Sequence, residues 1–385
     1  MPTDRPHILL ILTDQQQAAM LGSAGHRALH TPAMDRLAQE GIRFTRAFCT
    51  SPQCSPSRSS LLTGLYPHRT TVLGNIPETT FGPAQLPPDL PTLGSLLQAE
   101  GYRTAYFGKW HLGAANDPAA NPLAYGFAHY TPTRLASELE SEDGLAAAAA
   151  AFIDGYPDAQ PLFLVASFND PHGVYALPRV RQPLATDGVH LPESFDDDLA
   201  GKPAAQRRYR DEDQPAALPL DEPTARRYLA WYATMVERAD GYLGRILTGL
   251  DGRPDLVHNA IVIFASDHGD LACAHRLPFK GPCMYDELMR VPLLLRGPGI
   301  AARQVRDELV TLADVLPTIC DLTGVTPPTV DGTSLAPLLR SDAPTLPWRD
   351  TVIGQYHGKQ RWCCPIRMLR TATRKLVTYR DGARE

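Results

Sequence analysis

The sequence predicts an α/β fold: a mostly parallel central sheet with helices on both faces, followed by a small C-terminal antiparallel sheet. Three observations predict it. Four short, unbroken apolar runs rich in β-branched and aromatic residues read as strands buried on both faces. Helical patterns lie between the runs, and strands that alternate with helices imply parallel pairing through crossovers. Beyond Leu339 the pattern changes to three short runs with a break at Thr373-Arg374, as expected of antiparallel neighbours.

The first strand is His7 to Leu12, leading into Thr13-Asp14-Gln15. Thr31 to Glu40 reads as a helix whose Thr-Pro start supplies a cap and a first-turn proline. Leu93 to Glu100 is a helix stopped by Gly101, and Arg103 to Phe107 is the second strand, leading into Gly108-Lys109-Trp110-His111. An Ala-rich helix, Asp143 to Ile153, precedes the third strand, Pro161 to Phe168, which leads into Asn169-Asp170-Pro171-His172. Pro178 to Pro223 is rich in Pro, Asp and Arg with weak periodicity; it reads as an excursion over the strand ends, either a lid or a plain surface insertion. A long amphipathic helix spans Thr224 to Leu250. The fourth strand, Ala260 to Ala265, leads into Ser266-Asp267-His268-Gly269-Asp270. Thr351 to Tyr356, Arg367 to Ala372 and Lys375 to Tyr379 form the small sheet. The expected division is an α/β domain over 1–345 and a small subdomain over 346–385.

Composition narrows the function. The 385 residues carry a net charge of −5, so no broad basic surface is implied, and neither nucleic acid nor an anionic membrane is the expected partner. No apolar run approaches the ~20 residues of a membrane span. The start of the chain lacks the basic residues, long apolar core and cleavage site of a secretory signal, so a cytoplasmic location is expected unless a signal has been removed. Seven cysteines without repeating spacing suggest no disulfide framework, and adjacent Cys363-Cys364 read as a strand or loop pair. Association into a homo-oligomer is left open.

All four strands run into polar clusters at their carboxyl ends, where open α/β sheets place their ligand crevice. Asp14, Lys109, His111, His172, Asp267 and His268 are therefore expected to be neighbours in space. Two aspartates on facing strand ends suit a hard divalent cation, with His268 adding a nitrogen and Gln15 an amide oxygen; the competing reading is that each aspartate caps a turn. A nitrogen beside oxygens leaves Ca²⁺, Mg²⁺ and Mn²⁺ open. Cys54, at the start of a helix and near Arg58, has the setting of a depressed pKa; it reads as a thiolate nucleophile with His111 or His172 as base, or as a buried structural cysteine. Lys109 and Lys280 have solvated surface charges as their rival reading, and His172 a turn residue. Asp270 and His275 lie close by in sequence and are left out of the site.

The segment Cys54-Ser-Pro-Ser-Arg58-Ser-Ser-Leu-Leu-Thr63-Gly64 resembles the sulfatase motif of the alkaline-phosphatase-like superfamily. The resemblance covers most of the chain. Leu10 to Gln15 looks like the first metal strand, Gly101 to Gly113 the Lys/His segment, Ser167 to His172 the strand supplying another histidine, and Ser266 to Gly269 the second metal strand. Lys280, before Tyr285-Asp286-Glu287 and Arg290-Val291-Pro292, looks like a second active-site lysine, and Asp314 to Ile319 and Asp331 to Leu335 resemble late landmarks.

The resemblance implies a metal-dependent hydrolase of sulfate esters, acting on a small-molecule or sugar sulfate. Cys54 is implied to become formylglycine through a formylglycine-generating enzyme, and its hydrated aldehyde to attack sulfur. Asp14, Gln15, Asp267 and His268, with the modified Cys54, are implied to hold one divalent metal ion, Ca²⁺ being the first expectation and Mg²⁺ or Mn²⁺ the alternatives. Arg58 is implied to orient the hydrate and Lys109 and Lys280 to neutralise sulfate oxygens. His172 is implied to protonate the leaving oxygen. His111 is implied to take a proton from the second hydroxyl and so expel sulfate, a step that a serine sulfate lacks. Two departures stand out. Asp14-Gln15 replaces the common Asp-Asp and resembles choline sulfatases and phosphonate monoester hydrolases, which makes phosphonate monoester or phosphodiester hydrolysis the nearest alternative. The chain ends at Glu385, soon after its last predicted strand, so the small subdomain is expected to be short or truncated. Two further alternatives are a non-catalytic relative that binds a metal or a glycan and a metal-independent cysteine hydrolase.

Overall fold

The computed structural model describes residues 5–26, 28–77, 82–133, 138–157, 160–175, 180, 184–213, 220–340, 347–359 and 362–385. The four predicted strands are β1 (His7–Asp14), β4 (Arg103–Gly108), β6 (Leu162–Pro171) and β7 (Ala260–Ser266). Shorter strands β2 (Ile42–Phe44), β3 (Ala47–Phe48), β5 (His129–Thr131), β8 (Leu293–Arg296), β9 (Gln304–Arg306) and β10 (Val310–Thr311) complete the main body. The eight-stranded sheet has the order β5-β4-β6-β1-β7-β8-β2-β9. Pairing from β5 to β7 is parallel throughout, whereas β8 runs antiparallel to β7 and β2.

The central strands read as unbroken apolar runs because both faces are covered. All eight residues of β1 are buried. Ile8, Leu10 and Leu12 join one core with Phe163, Val165, Ile261 and Ile263, while Leu9 and Ile11 join the opposite core with Leu164, Val262 and Phe264. The second core is closed by α1 (Pro32–Glu40), α4 (Glu138–Asp154) and α5 (Glu222–Asp251). The first is closed by α3 (Leu93–Ala99), α6 (Val315–Thr323) and the small sheet. Between β3 and α3 lies α2 (Cys54–Thr63).

Two expectations are corrected. Thr31 sits at the N-cap of α1 but its side chain makes no cap bond; the first turn is capped from outside by Asp240 of α5, which accepts from the Ala33 and Met34 amides at 3.1 and 2.8 Å. Second, the middle strand of the small sheet begins well before Arg367. The sheet comprises β11 (Thr351–Lys359), β12 (Trp362–Thr371) and β13 (Lys375–Tyr379), paired antiparallel in that order. Pro365 obscures β12 because proline cannot donate to the ladder, and the pairing shifts register between Tyr356 and Gly358, opposite it. Cys363 and Cys364 thus lie in a strand, and all seven cysteines are free. Val352, Tyr356, Ile366, Met368 and Val377 pack into the first core, so the small sheet shares its interior with the main body. Residues 178–179, 181–183 and 214–219 of the predicted excursion lie outside the described residues. Among the described residues no helix is long and apolar enough to cross a membrane.

Candidate active site

Four strand ends and one helix start converge. At the end of β1 the chain turns through Gln15, whose φ is 75°, in the left-handed region that a side chain adopts only when surroundings enforce it. The turn is held from both sides: the Gln15 amide donates to Asp267 Oδ1 at 3.1 Å and the Tyr232 hydroxyl, from α5, donates to the Gln15 carbonyl at 2.7 Å. At the end of β4, Gly108 has φ 101°, and a Cβ there would lie 2.0 Å from the Ser167 carbonyl oxygen. That close approach brings Lys109 beside β6.

Helix α2 carries the cysteine on its first residue, and all ten of its residues are buried. Burial all round explains why the segment has no amphipathic period. Ser57 Oγ donates to the Asp267 carbonyl at 2.5 Å and Ser55 Oγ to the His111 carbonyl at 2.6 Å, which ties the helix to both neighbouring loops. Cys54 Sγ lies 3.3 Å from His268 Nε2 and 3.6 Å from Asp14 Oδ1, and Lys280 Nζ lies 2.9 Å from the sulfur and 3.0 Å from His268 Nε2. One turn further on, Arg58 donates from Nε to Asp267 Oδ2 at 2.8 Å and from its other nitrogens to Asp14 Oδ2 at 3.0 Å and Ser167 Oγ at 2.7 Å. Lys109 Nζ also reaches Asp14 Oδ2, at 2.8 Å.

Both carboxylates are therefore divided. Each Oδ2 is bound by cations, and each Oδ1 faces His268 Nε2, at 3.8 Å for Asp14 and 3.7 Å for Asp267. His268 Nδ1 lies 2.7 Å from the Gly269 carbonyl, which fixes the proton there and leaves the Nε2 lone pair facing the cluster. Asp14, Cys54, Asp267 and His268 offer ligand atoms all within 4.8 Å of one another. Gln15 Oε1 is buried without a hydrogen-bond partner. Two carboxylate oxygens, an imidazole nitrogen and an unpaired amide oxygen form a donor set suited to a divalent cation.

The electrostatics follow from this packing. Burial would raise the Asp14 carboxyl, but Lys109, Arg58 and Lys280 together hold it well below the usual range. Burial and the adjacent Asp14 carboxylate push Asp267 up to about 6. Burial and Asp14 also act to raise the Cys54 thiol, yet the positive charges of Lys280 and Lys109 draw it well below its ordinary value. His172 is pushed well down by burial and by Lys109.

The predicted residues divide as follows. Asp14, Cys54, Arg58, Lys109, Asp267, His268 and Lys280 meet in one cluster. Gln15 borders it. His172 lies within the same electrostatic field and packs on Tyr175 at 4.7 Å, which stacks on Phe279 at 4.1 Å. His111 joins through its backbone, and its Nδ1 is buried without a partner. His275 turns away, 2.7 Å from Asp197 and stacked on Tyr285. Sequence reasoning missed Ser167, Tyr175, Tyr228 and Tyr232, and left out Asp270, whose Oδ2 accepts from the Gln15 side-chain Nε2 at 2.6 Å. The four-residue spacing of Tyr228 and Tyr232 on α5 was the available signal, since it puts both hydroxyls on one helix face.

Comparisons with known proteins identify the family. The sulfatase family matches residues 6–325, and the C-terminal family of N-sulphoglucosamine sulphohydrolase matches residues 275–385. A Delta 4,5-hexuronate-2-O-sulfatase from Bacteroides thetaiotaomicron is 30% identical over 98% of this chain and 81% of its own. A solved 2-O GAG sulfatase superposes with a TM-score of 0.86 at 27% identity, covering 99% of this chain and 84% of its own. The phosphonate monoester hydrolase of Agrobacterium radiobacter shares the fold, with a TM-score of 0.78 at 23% identity over 99% and 88% of the two chains. The chain belongs to the sulfatase family.

Proposed function

We propose that this protein hydrolyses the sulfate ester of a sugar, using formylglycine made from Cys54 and one divalent cation held by Asp14, Gln15, Asp267 and His268. Family membership supplies the reaction class, hydrolysis of a sulfuric ester. The observation that carries the rest is the position of Cys54 Sγ, beside His268 Nε2 and Asp14 Oδ1 and in contact with Lys280. In the functional protein the sulfur position belongs to an aldehyde-derived oxygen. A divalent cation held by Asp14, Gln15, Asp267 and His268 would supply Lewis acidity to the site, with Ca²⁺ the first candidate.

The chain's own residues do the remaining work. Lys280 and Lys109 bring positive charge to the place where the sulfate oxygens gather charge in the transition state. Arg58 spans the two metal-binding carboxylates and holds both, so its forked donors fix the ligand geometry. His172 stays neutral in the free enzyme under burial and the two lysines. A sulfate arriving between these groups offsets their charge, so that His172 and Lys280 share the proton needed by the leaving alcohol. His111, anchored through Ser55 to the first turn of α2, has a free buried Nδ1 for the proton released when sulfate is expelled. The alcohol is proposed to be a hexuronate sulfated at O2, on the strength of the 30% identical relative.

Mass spectrometry of the tryptic peptide following Arg46 tests the modification, with an aldehyde expected at position 54 and an unmodified thiol in protein from its native host counting against it. Rates on an unsaturated 2-sulfated uronate disaccharide, an aryl sulfate and an aryl phosphonate ester test the substrate. The sugar sulfate is expected to lead, and faster phosphonate turnover would reverse the order. The phosphonate reading has one specific support, the amide of Gln15 where many sulfatases carry a second carboxylate.

A further inference from the structure

We propose that Asp270 is a positioning residue of the metal site: by accepting the Gln15 amide N–H it fixes which end of that amide faces the cation, so that Gln15 ligates through oxygen. The proposal rests on the reading that this cluster holds a divalent cation. A primary amide has two ends of nearly equal shape and opposite chemistry, since the oxygen ligates a hard cation and the NH₂ group does not. Something must choose between them.

Gln15 is wholly buried and its backbone is bonded on both sides, so the remaining freedom is the turn of its amide. Its Nε2 donates to Asp270 Oδ2 at 2.6 Å, while its Oε1 is the buried atom without a partner. Asp270 is itself held firmly. The Ala272 amide donates to Oδ1 at 2.6 Å, and the Tyr228 hydroxyl lies 3.0 and 2.9 Å from the two oxygens. The same hydroxyl accepts from the Phe279 amide at 3.0 Å, next to Lys280. A carboxylate offers only acceptors, so the face it presents to Gln15 selects the NH₂ end. The oxygen is left for the cation.

Asp270→Asn inverts that choice with almost no change in shape. The Ala272 amide retains the oxygen of the new side chain, so its NH₂ group replaces Oδ2 and meets the Gln15 NH₂ group. The Gln15 amide then turns over and presents nitrogen to the metal. Adding Gln15→Glu to Asp270→Asn restores the pair, because the introduced carboxylate accepts from the introduced amide with one oxygen and ligates with the other. The measurement is calorimetric titration of chelator-stripped, full-length protein with Ca²⁺, Mg²⁺ and Mn²⁺, alongside the melting temperature without metal. Wild type is expected to bind at least one ion, and Asp270→Asn to bind it roughly 10- to 100-fold more weakly. The double variant is expected to recover most of the loss, and in a Gln15→Ala background Asp270→Asn is expected to change nothing. Wild-type affinity in Asp270→Asn, or a double variant no tighter than Asp270→Asn, overturns the assignment. Should Asp270→Asn not fold, the double variant must still bind more tightly than Gln15→Glu alone. Failure of wild type to bind any of the three ions instead removes the cation reading, and the assignment with it.

Discussion

Cys54 differs from every other buried cysteine of the chain in the charges around it. Burial pushes the thiols of Cys49 and Cys273 well up and that of Cys320 to about 11, whereas at Cys54 burial and Asp14 are outweighed by Lys280 and Lys109. Cations that stabilise a thiolate stabilise any anion placed there, a sulfate oxygen included. Removing one of them is therefore expected to cost catalysis more than folding. Lys280→Ala is expected to lower kcat/KM by roughly 10²- to 10³-fold, with the far-UV circular dichroism spectrum unchanged. A loss smaller than about tenfold would show that Lys280 does not meet the developing charge. Cys54→Ser tests the nucleophile from the other side. Serine provides one hydroxyl and no route to eliminate sulfate, so product release is expected to stop at or below one equivalent of enzyme; sustained turnover would rule out the proposed chemistry.

At the scale of elements, the site depends on strand ends brought closer than side chains ordinarily allow. Gly108→Ala forces a left-handed Ala whose Cβ meets the Ser167 carbonyl at 2.0 Å, so a loss of about 2 kcal/mol or more in denaturant unfolding is expected, together with weakened activity because Lys109 follows directly. Behind the same strands, Glu142 of α4 accepts from the Asn169 amide at 2.6 Å, and burial, with the Asp170 carboxylate next, raises its carboxyl to about 8. The folded chain thus keeps a proton that the unfolded chain has released, and stability falls as pH rises from about 4.5 through about 8. Glu142→Gln keeps an acceptor and removes the ionisation. Its advantage in unfolding free energy over wild type is expected to be small near pH 5 and to widen toward pH 8, reaching a few kcal/mol at most; an advantage independent of pH would show that the carboxyl is not held neutral. These elements also mark how far the sequence was legible. β1, β4, β6 and β7 were readable because strands covered on both faces leave unbroken apolar runs. β3, β5, β9 and β10 were not, since two or three residues carry no period. The cap on α1 was misread because Asp240 comes from a distant helix. His268 and His275 look alike in sequence and part only because the loop between them reverses through left-handed residues at Ala272 and Cys273.

The whole molecule carries a net charge of −5, yet its crevice gathers Arg58, Lys109 and Lys280 around two carboxylates, and a bound divalent cation would make that crevice clearly positive. Surface and site therefore oppose one another in sign. At long range an anionic substrate meets net repulsion, and at short range it meets a low-dielectric pocket lined by cations, where the field is focused. Salt acts on these two ranges differently. At about 0.1 M the screening length is about 10 Å, enough to mute the diffuse negative surface while leaving the buried cluster largely intact. The distinction yields a prediction opposite to that for an enzyme that steers substrate with a positive exterior. Raising ionic strength from about 0.01 M to about 0.1 M is expected to leave kcat/KM for a doubly anionic sulfated uronate level or to raise it, whereas Lys280→Ala, lacking the short-range attraction, gains proportionally more. A steep decline with salt in the wild-type protein would mean that capture is governed by cations exposed at the mouth of the crevice rather than by the buried lysines and arginine at its base.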